Sequence, residues 1–239
     1  MAYKAGQAGK STREMASKRR KIAIIVAVVA MVMILLVGLV LQNSRALGIG
    51  GIGVLVLLMM LKIVPEVADA KVKQKKKEER RAVRGAIAEE RVGDLLEQLG
   101  EDYCVFHDVA SPYGNIDHIV LGKRNGVFLI ETKSHGGKVS VADEKLLVNG
   151  KPPEKDFIAQ SLKNTYWLRD MLGKAIGEKV WITPVIVFSN AFVPATKPVK
   201  GVYILNKKYL NTLIDKRKAP TEIAAKTWEA RGNIEGMLL

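Results

Sequence analysis

Three charged residues on two neighbouring predicted strands are placed to do chemistry together. Asp117 lies near the start of an apolar run at residues 116–121, and Glu131 and Lys133 end a second run at residues 127–133. Side chains alternate along a strand, so Glu131 and Lys133 project to one side, where Asp117 can lie across from them. Two carboxylates that converge in a partly buried site repel each other, and a hard divalent cation with oxygen ligands relieves that repulsion. The pattern therefore predicts a Mg²⁺ or Mn²⁺ site.

A purely structural interpretation competes with this one. An Asp at the beginning of a strand often caps a turn, and a Glu-x-Lys pair on a strand is often a charge pair exposed to solvent. The strand of Glu131, however, has four apolar residues at positions 127–130. It therefore has the composition of a central strand, where charged groups are costly to bury. This burial favours a functional site over a surface charge pair.

The residues of this predicted hairpin resemble a known family. The run Gly-Asn-Ile-Asp-His-Ile-Val at residues 114–120, followed by Gly-Val-Phe-Leu-Ile-Glu-Thr-Lys at residues 126–133, is similar to the core of nuclease-related (NERD) domains. That family is grouped with the PD-(D/E)xK nuclease superfamily, whose motif is an Asp, a variable gap and Glu-x-Lys. The resemblance covers residues 84–215, a little over half of the chain.

Two further stretches carry the resemblance. Gly85-x-x-Ala88-Glu89 is similar to the family's Gly-x-x-Gly-Glu, with Ala88 in place of the second Gly. Gln160 resembles a Gln that many members carry on a helix, and Asn164 follows it at a spacing of i, i+4 on the same helical face.

The resemblance implies a restriction-endonuclease-like α/β fold, with a mixed sheet flanked by helices, and hydrolysis of phosphodiester bonds. Asp117, Glu131 and Glu89 would be the ligands of Mg²⁺ or Mn²⁺. Lys133 would position or deprotonate the attacking water, or would stabilise the negative charge of the transition state, and the sequence leaves these roles open. Gln160 would orient the water or a phosphate. The substrate would be a nucleic acid, with DNA favoured over RNA.

Positive charge is concentrated in the N-terminal third of the 239-residue chain. The formal net charge is +14, but residues 1–84 hold 17 Lys and Arg against 5 Asp and Glu, whereas residues 85–239 hold 21 against 19. This distribution points to a membrane surface before it points to nucleic-acid binding by the folded domain. The single cysteine, Cys104, excludes an intrachain disulfide and is predicted to be a buried structural thiol.

Two apolar segments precede the domain and predict a transmembrane helical hairpin at residues 22–64. Residues 22–41 carry no charge and, at about 1.5 Å per residue, can span a hydrocarbon core of about 30 Å. The second span covers residues 46–64. Seven Lys or Arg precede the first span and eight follow the second, while the connecting loop holds only Arg45. The positive-inside rule then predicts an inner (cytoplasmic) membrane protein with both termini and the domain in the cytoplasm.

The segments that flank this hairpin are basic. Residues 1–21 are predicted to be a disordered cytoplasmic N-terminus. Residues 65–84 are predicted to be a helical connector that Pro65 separates from the second span. The connector can be attracted to anionic headgroups, serve as a solvated spacer, or contact a nucleic-acid backbone beside the site. The sequence leaves these three uses open.

The rest of the chain alternates between helical and strand patterns, with a nuclease-like domain at residues 85–217 and a C-terminal helix within residues 218–239. Apolar residues at helical spacing predict helices at 84–99, 157–172, 208–217 and 221–230. Strands are expected on either side of the central hairpin at 103–109, 180–188 and 202–205, with a small extra hairpin at 138–141 and 145–148. This order predicts an α/β sandwich with a mixed sheet.

Two classes of function fit these features. The first is a membrane-anchored, metal-dependent nuclease that hydrolyses DNA or RNA at the cytoplasmic face, and the complete set of Asp117, Glu131 and Lys133 favours it. The second is a non-catalytic, membrane-tethered nucleic-acid-binding or signalling module. The nearly neutral charge of the domain counts against tight nucleic-acid binding. His107 and His118 are expected to make structural hydrogen bonds, because alternation directs His118 away from Asp117.

Overall fold

The computed structural model describes residues 1–194 and 197–238. The chain divides into two compact units. One is Thr12–Val83, and the other combines Met1–Ser11 with Arg84–Leu239. The N-terminal eleven residues therefore belong to the same unit as the predicted nuclease-like domain.

The unit Thr12–Val83 consists of helical segments. Helix α1 covers Lys10–Gln42 and helix α2 covers Gly51–Glu97, so both helices continue into the other unit. Both are long and apolar enough to cross a membrane, and hardly any residue of their most apolar stretches is buried. The buried residues of α1 recur at every seventh position, which places them on one side of the helix: Ala16, Ala23, Ala30 and Val37.

Helix α2 corrects one expectation from the sequence. Pro65 lies inside the helix and does not separate the second apolar span from the basic connector. Proline removes one backbone hydrogen bond of a helix, but long apolar helices tolerate that loss where neighbouring groups satisfy the freed carbonyl. The connector and the first helix of the domain are therefore one continuous element.

The N-terminal segment corrects a second expectation, because it is ordered. Strand β1 (Tyr3–Ala5) pairs in parallel with strand β2 (Tyr103–Val109). Gly6 follows with a φ of 80°, and a Cβ atom there would lie 2.3 Å from the carbonyl oxygen of His107. Only glycine fits this close approach. The segment thus closes one edge of the sheet, which would otherwise expose unpaired backbone groups.

The sheet has the mixed topology that the sequence predicts. The other strands are β3 (Ile116–Gly122), β4 (Gly126–Ala142), β5 (Lys145–Val148), β6 (Ile182–Phe192) and β7 (Tyr203–Asn206). Within the described residues the strand order is β1-β2-β3-β4-β6-β7, with β5 paired to the far part of β4. Strands β2, β3 and β4 are antiparallel, whereas the β4–β6 and β6–β7 pairs are parallel.

Helices cover both faces of this sheet. Helix α3 (Phe157–Ile176), helix α5 (Thr221–Glu229) and helix α6 (Arg231–Leu238) lie on one face, where Leu168 and Ile234 pack with Ile119 and Leu129. Helix α2 and helix α4 (Leu210–Lys216) lie on the other, where Val92 and Ile214 pack with Val120 and Phe128. The domain is therefore an α/β sandwich with a core on each side of the sheet.

Two helix ends differ from the sequence prediction. Helix α3 continues past Gly173 and ends at Gly177, which has a φ of 74° and forms the left-handed C-cap. The C-terminal segment, predicted as one helix, is divided into α5 and α6 at Ala230. Ala230 donates its backbone N–H to the carbonyls of Lys226 and Trp228 as it caps α5.

Candidate functional site

Strands β3 and β4 bring two carboxylates to the same place. His118 pairs with Ile130, so continuing the register by one residue sets Asp117 opposite Glu131. The ladder ends at this point, and the backbone N–H of Thr132 donates to Oδ2 of Asp117 at 2.5 Å. Asp117 and Glu131 thus occupy facing positions on adjacent strands.

Lys133 is fixed beside Glu131. Its Nζ lies 2.7 Å from Oε1 of Glu131 and 4.6 Å from the centre of the Phe157 ring at the start of α3. The side chains of Lys133 and Glu131 are only 12% and 4% exposed. Such a buried ion pair is favourable only with good geometry and further hydrogen bonds to the remaining polar atoms.

Glu131 lacks one of those further hydrogen bonds. Its Oε2 atom is buried, and no residue within the described part of the chain bonds to it. A buried carboxylate oxygen without a partner costs about 1–3 kcal/mol or more. This oxygen therefore has the electron pairs to coordinate a cation or to accept a proton from a bound group.

Asp117 lies in an environment that disfavours its charge. Burial, followed by the negative charges of Glu131 and Glu89, raises the pKa of Asp117 well above its ordinary value. The ammonium group of Lys133 and the N–H of Thr132 act in the opposite direction and offset this only in part. Glu89 on α2 is thus close enough to interact with Asp117, although the two residues belong to elements far apart in sequence.

This donor set fits a hard divalent cation. Among the residues that the structure describes, no group of three or more His, Cys, Asp or Glu side chains is arranged as a complete metal site. Mg²⁺, however, is commonly held by one or two carboxylates together with waters and substrate phosphates. Facing carboxylates at Asp117 and Glu131, one with a buried unpartnered oxygen, meet that requirement.

Gln160 lies on helix α3, one turn after Phe157. It follows Phe157, whose ring contacts the Lys133 ammonium, by three positions on α3, and it is partly exposed. Its side-chain amide makes no hydrogen bond to Asp117, Glu131 or Lys133, all of which lie in the described part of the chain. The structure therefore brings Gln160 to the neighbourhood of the site without a direct contact.

Two polar residues of α3, Ser161 and Asn164, are fully buried at the level of the site. They lie on a helical stripe between Phe157, which contacts Lys133, and Leu168, which packs with Leu129. Asn164 accepts a hydrogen bond from Ser111 at 2.7 Å, while its Nδ2 and the Ser161 Oγ have no partner among the described residues. The sequence indicated the face of Asn164 but gave no reason to select Ser161, because only the packing reveals an unpaired hydroxyl.

The opposite face of the same strands holds a histidine pair. The Nδ1 atoms of His107 and His118 lie 2.8 Å apart, so one ring donates and the other accepts. Burial lowers the pKa of both rings, and the neighbouring His107 lowers that of His118 further. Both side chains are engaged in structural contacts, as expected, and His118 is separated from Asp117 by the plane of the sheet.

Comparison with known protein families finds a match within the domain. A family model described as the nuclease-related domain (NERD) matches residues 84–189. The matched segment contains all five residues proposed for the site, namely Glu89, Asp117, Glu131, Lys133 and Gln160. Comparison with curated proteins finds no match, and comparison with solved structures finds none either. Residues 84–189 thus match a nuclease-related domain, and they provide strands β2 to β5 and most of β6 of the mixed α/β sheet.

Proposed function

We propose that this protein is a membrane-anchored, metal-dependent nuclease that hydrolyses phosphodiester bonds of DNA or RNA at the cytoplasmic face. One observation carries the proposal. Asp117 and Glu131 occupy facing positions on adjacent strands, and Lys133 is ion-paired at 2.7 Å to one oxygen of Glu131 while the other oxygen is buried without a partner. Within this family such a constellation is best explained by phosphodiester hydrolysis.

The side chains divide the work of the proposed reaction. Asp117 and Glu131, with Glu89, would hold Mg²⁺ or Mn²⁺, which supplies Lewis acidity and an activated water when bound. The Thr132 N–H fixes the Asp117 carboxylate in orientation. The Lys133 ammonium stabilises negative charge that develops on the phosphoryl oxygens.

Two neighbours of Lys133 support this arrangement. Phe157 packs on the ammonium of Lys133 and excludes water from one side of it. Gln160, on the next turn of α3, orients the attacking water or a phosphate oxygen by hydrogen bonding. The bound cation would relieve the repulsion between the two carboxylates.

The membrane anchor is supported by the exposure of α1 and α2. Ile25, Leu35, Leu55 and Met59 each expose more than half of their surface. A core helix of a soluble protein would bury such a stretch, whereas a bilayer covers it with lipid. Strand β1 before α1 and residues 84–97 of α2 both belong to the domain unit. A chain that leaves this unit and returns to it through two spans crosses the bilayer twice. The basic residues on both flanks favour the cytoplasmic side of the membrane for the domain.

The alternative is a non-catalytic, membrane-tethered module that binds nucleic acid or transmits a signal. It is supported by the pairing of Lys133 with Glu131 and by the lack of a complete three-ligand group within residues 1–194 and 197–238. In that case the carboxylates would be a remnant of the family's site, and the domain would bind without turnover.

A nuclease assay distinguishes these functions. The full chain is needed, because β1 belongs to the sheet and a fragment that begins after the hairpin would lose an edge strand. We expect the detergent-solubilised protein to cleave mixed DNA and RNA with Mg²⁺ or Mn²⁺, and Asp117→Asn and Lys133→Met to abolish cleavage. Asp143→Asn, at an exposed position in the turn between β4 and β5, is the matched control and should remain active. Cleavage that persists in both site variants would overturn the proposal.

A further inference from the structure

Two loops at one end of the sheet carry five basic residues. The β3–β4 turn provides Lys123 and Arg124, and the C-terminal end of α4 with the segment after it provides Lys216, Arg217 and Lys218. We call these the basic loop pair. Lys123 is six residues along the chain from Asp117, or about 20 Å at about 3.3 Å per strand residue. The basic loop pair therefore lies at the opposite end of β3 from the carboxylates and is separate from the candidate site.

A buried side chain fixes the two loops to each other. Asn125 is 7% exposed, and its Nδ2 lies 2.9, 3.1 and 2.8 Å from the carbonyl oxygens of Ile214, Asp215 and Arg217. The Tyr103 hydroxyl lies 3.1 Å from Oδ1 of Asn125 and 2.9 Å from Oδ1 of Asp215. The charged side chains are thus presented from a rigid base, which reduces the entropy lost on binding.

The loops border a concave surface. A cleft of about 500 Å³ is lined by Lys123, Arg124 and Lys218 on one side and by Trp228 on the other. The side chains of Lys123 and Arg124 are 51% and 74% exposed. The cleft therefore combines accessible cations with an aromatic ring.

Positive charge prevails here after the neighbouring acids are counted. Asp102 lies 3.7 Å from Lys123 and 3.8 Å from Arg124, and Glu229 also lines the cleft. With Asp215, which accepts a hydrogen bond from the Tyr103 hydroxyl, three carboxylates oppose the five cations of the basic loop pair. Residues 85–239 carry 21 basic against 19 acidic residues, so an excess at one place is not a property of the domain as a whole.

We propose that the basic loop pair binds the phosphate backbone of a single-stranded nucleic acid while the chain extends toward the carboxylates. Lys and Arg side chains bind phosphate, and aromatic side chains provide the surfaces on which unpaired bases stack. The separation of about 20 Å corresponds to several nucleotides, so the substrate class would be oligonucleotides and longer chains rather than dinucleotides. The identity of the polyanion rests on the proposed nuclease function, whereas the anionic character of the ligand does not.

Binding without turnover tests this proposal. The full chain carrying Lys133→Met is placed in neutral-lipid nanodiscs, and fluorescence anisotropy measures its affinity for a labelled 30-nucleotide single-stranded DNA. Replacing Lys123, Arg124 and Lys218 with Gln should raise the dissociation constant at least about tenfold, and should reduce the salt slope by about 2, at about 0.7 per lost phosphate contact.

The matched control replaces three exposed lysines elsewhere on the domain with Gln and should change the dissociation constant by less than about twofold: Lys145, Lys151 and Lys174. Equal effects of the two triple variants would overturn the proposal. Displacement of the DNA by short-chain phosphatidylserine at equal charge concentration would also overturn it and would assign the cleft to anionic headgroups.

Two further measurements separate this proposal from the proposed nuclease activity. In the enzyme that retains Lys133, replacing Lys123, Arg124 and Lys218 with Gln should raise KM for long oligonucleotides without changing kcat. The same triple variant should not change the cleavage of a dinucleotide. If no cleavage occurs but the triple variant still loses DNA binding, the nuclease function fails and the binding surface stands. If cleavage occurs and both triple variants bind DNA as the parent does, only the binding surface fails.

Discussion

Strand β3 presents two buried polar clusters to opposite faces of the sheet, and they resolve their burial in different ways. On one face, the Nδ1 atoms of His107 and His118 share a hydrogen bond of 2.8 Å, while the Nε2 atom of each ring is buried without a hydrogen-bond partner among the described residues. On the other, Asp117 and Glu131 face each other with like charges, and one oxygen of Glu131 has no partner among the described residues. Burial disfavours the charged form of both histidines, which pair through one hydrogen bond within the chain, whereas the repulsion between the carboxylates would be relieved by a cation or a proton from outside the chain.

The two clusters also predict opposite dependences of stability on pH. Burial lowers the pKa of His107, so the unfolded chain binds the proton first and stability falls as the pH drops below about 6.5. Burial and neighbouring carboxylates raise the pKa of Asp117, so the folded chain holds the proton longer. Stability is then lost as the pH rises above about 4, the ordinary pKa of the carboxyl.

The largest expected effect concerns the carboxylate cluster and is kinetic. Lys133→Met removes the only ammonium group that contacts Glu131 in the described residues, so we expect kcat to fall by about 10²–10³-fold. The melting temperature should also fall, because the buried carboxylate of Glu131 loses its ion-pair partner. Single-turnover cleavage in Mg²⁺ measures the change. Lys155→Met, at an exposed position two residues before Phe157, is the control. An equal loss in both variants would contradict a specific role for Lys133.

The histidine cluster should respond in stability instead. His107→Leu or His118→Leu removes the hydrogen-bond partner of the remaining ring's Nδ1 and should cost about 1–3 kcal/mol, while the double variant should cost less than the sum. Thermal unfolding in detergent at pH 7 and pH 5 measures the stability lost by the single variants and by the double variant. The single variants should keep normal metal dependence of cleavage.

Acid sensitivity sharpens the same test. His107 faces His118, Glu97, Asp94 and Lys4, and Glu97 lies 3.6 Å from its Nε2. The wild-type protein should lose stability between pH 7 and pH 5, and the double Leu variant should lose less. Identical pH profiles would show that the pair does not titrate on unfolding as described.

The smallest effect should be a gain in stability. Asp117→Asn removes a charge that the fold disfavours, and we expect about 0.5–2 kcal/mol of stabilisation at pH 8 in EDTA and none at pH 4. With Mg²⁺ added, the wild-type protein should become more stable than Asp117→Asn, because only the wild-type protein gains free energy from binding the ion. Asp143→Asn serves as the control. A loss of stability at pH 8 without metal would contradict the repulsion between Asp117 and its neighbours.

The central part of the fold could be predicted from local patterns. Alternation along two short strands and the turn at residues 122–126 suffice to set Asp117 opposite Glu131. The apolar periodicity of α3 similarly fixes its start at Phe157, beside Lys133. These features depend on residues that are close in sequence, so a local sequence pattern can predict them.

Other features depend on contacts between distant segments. Strand β1 has three residues and pairs with β2 about one hundred positions away, so nothing within residues 1–21 indicates it. The unpaired hydroxyl of Ser161 and the three carbonyls around Asn125 exist only in the packed structure. The continuous helix through Pro65 likewise overrides a local breaking signal.

The most direct test of the central claim is Mn²⁺ binding to the full chain, measured by electron paramagnetic resonance. Facing carboxylates at Asp117 and Glu131 predict a bound ion that Glu131→Gln weakens at least about tenfold and that Asp143→Asn leaves unchanged. Mn²⁺ binding that is the same in the wild-type protein and in Glu131→Gln would contradict the account.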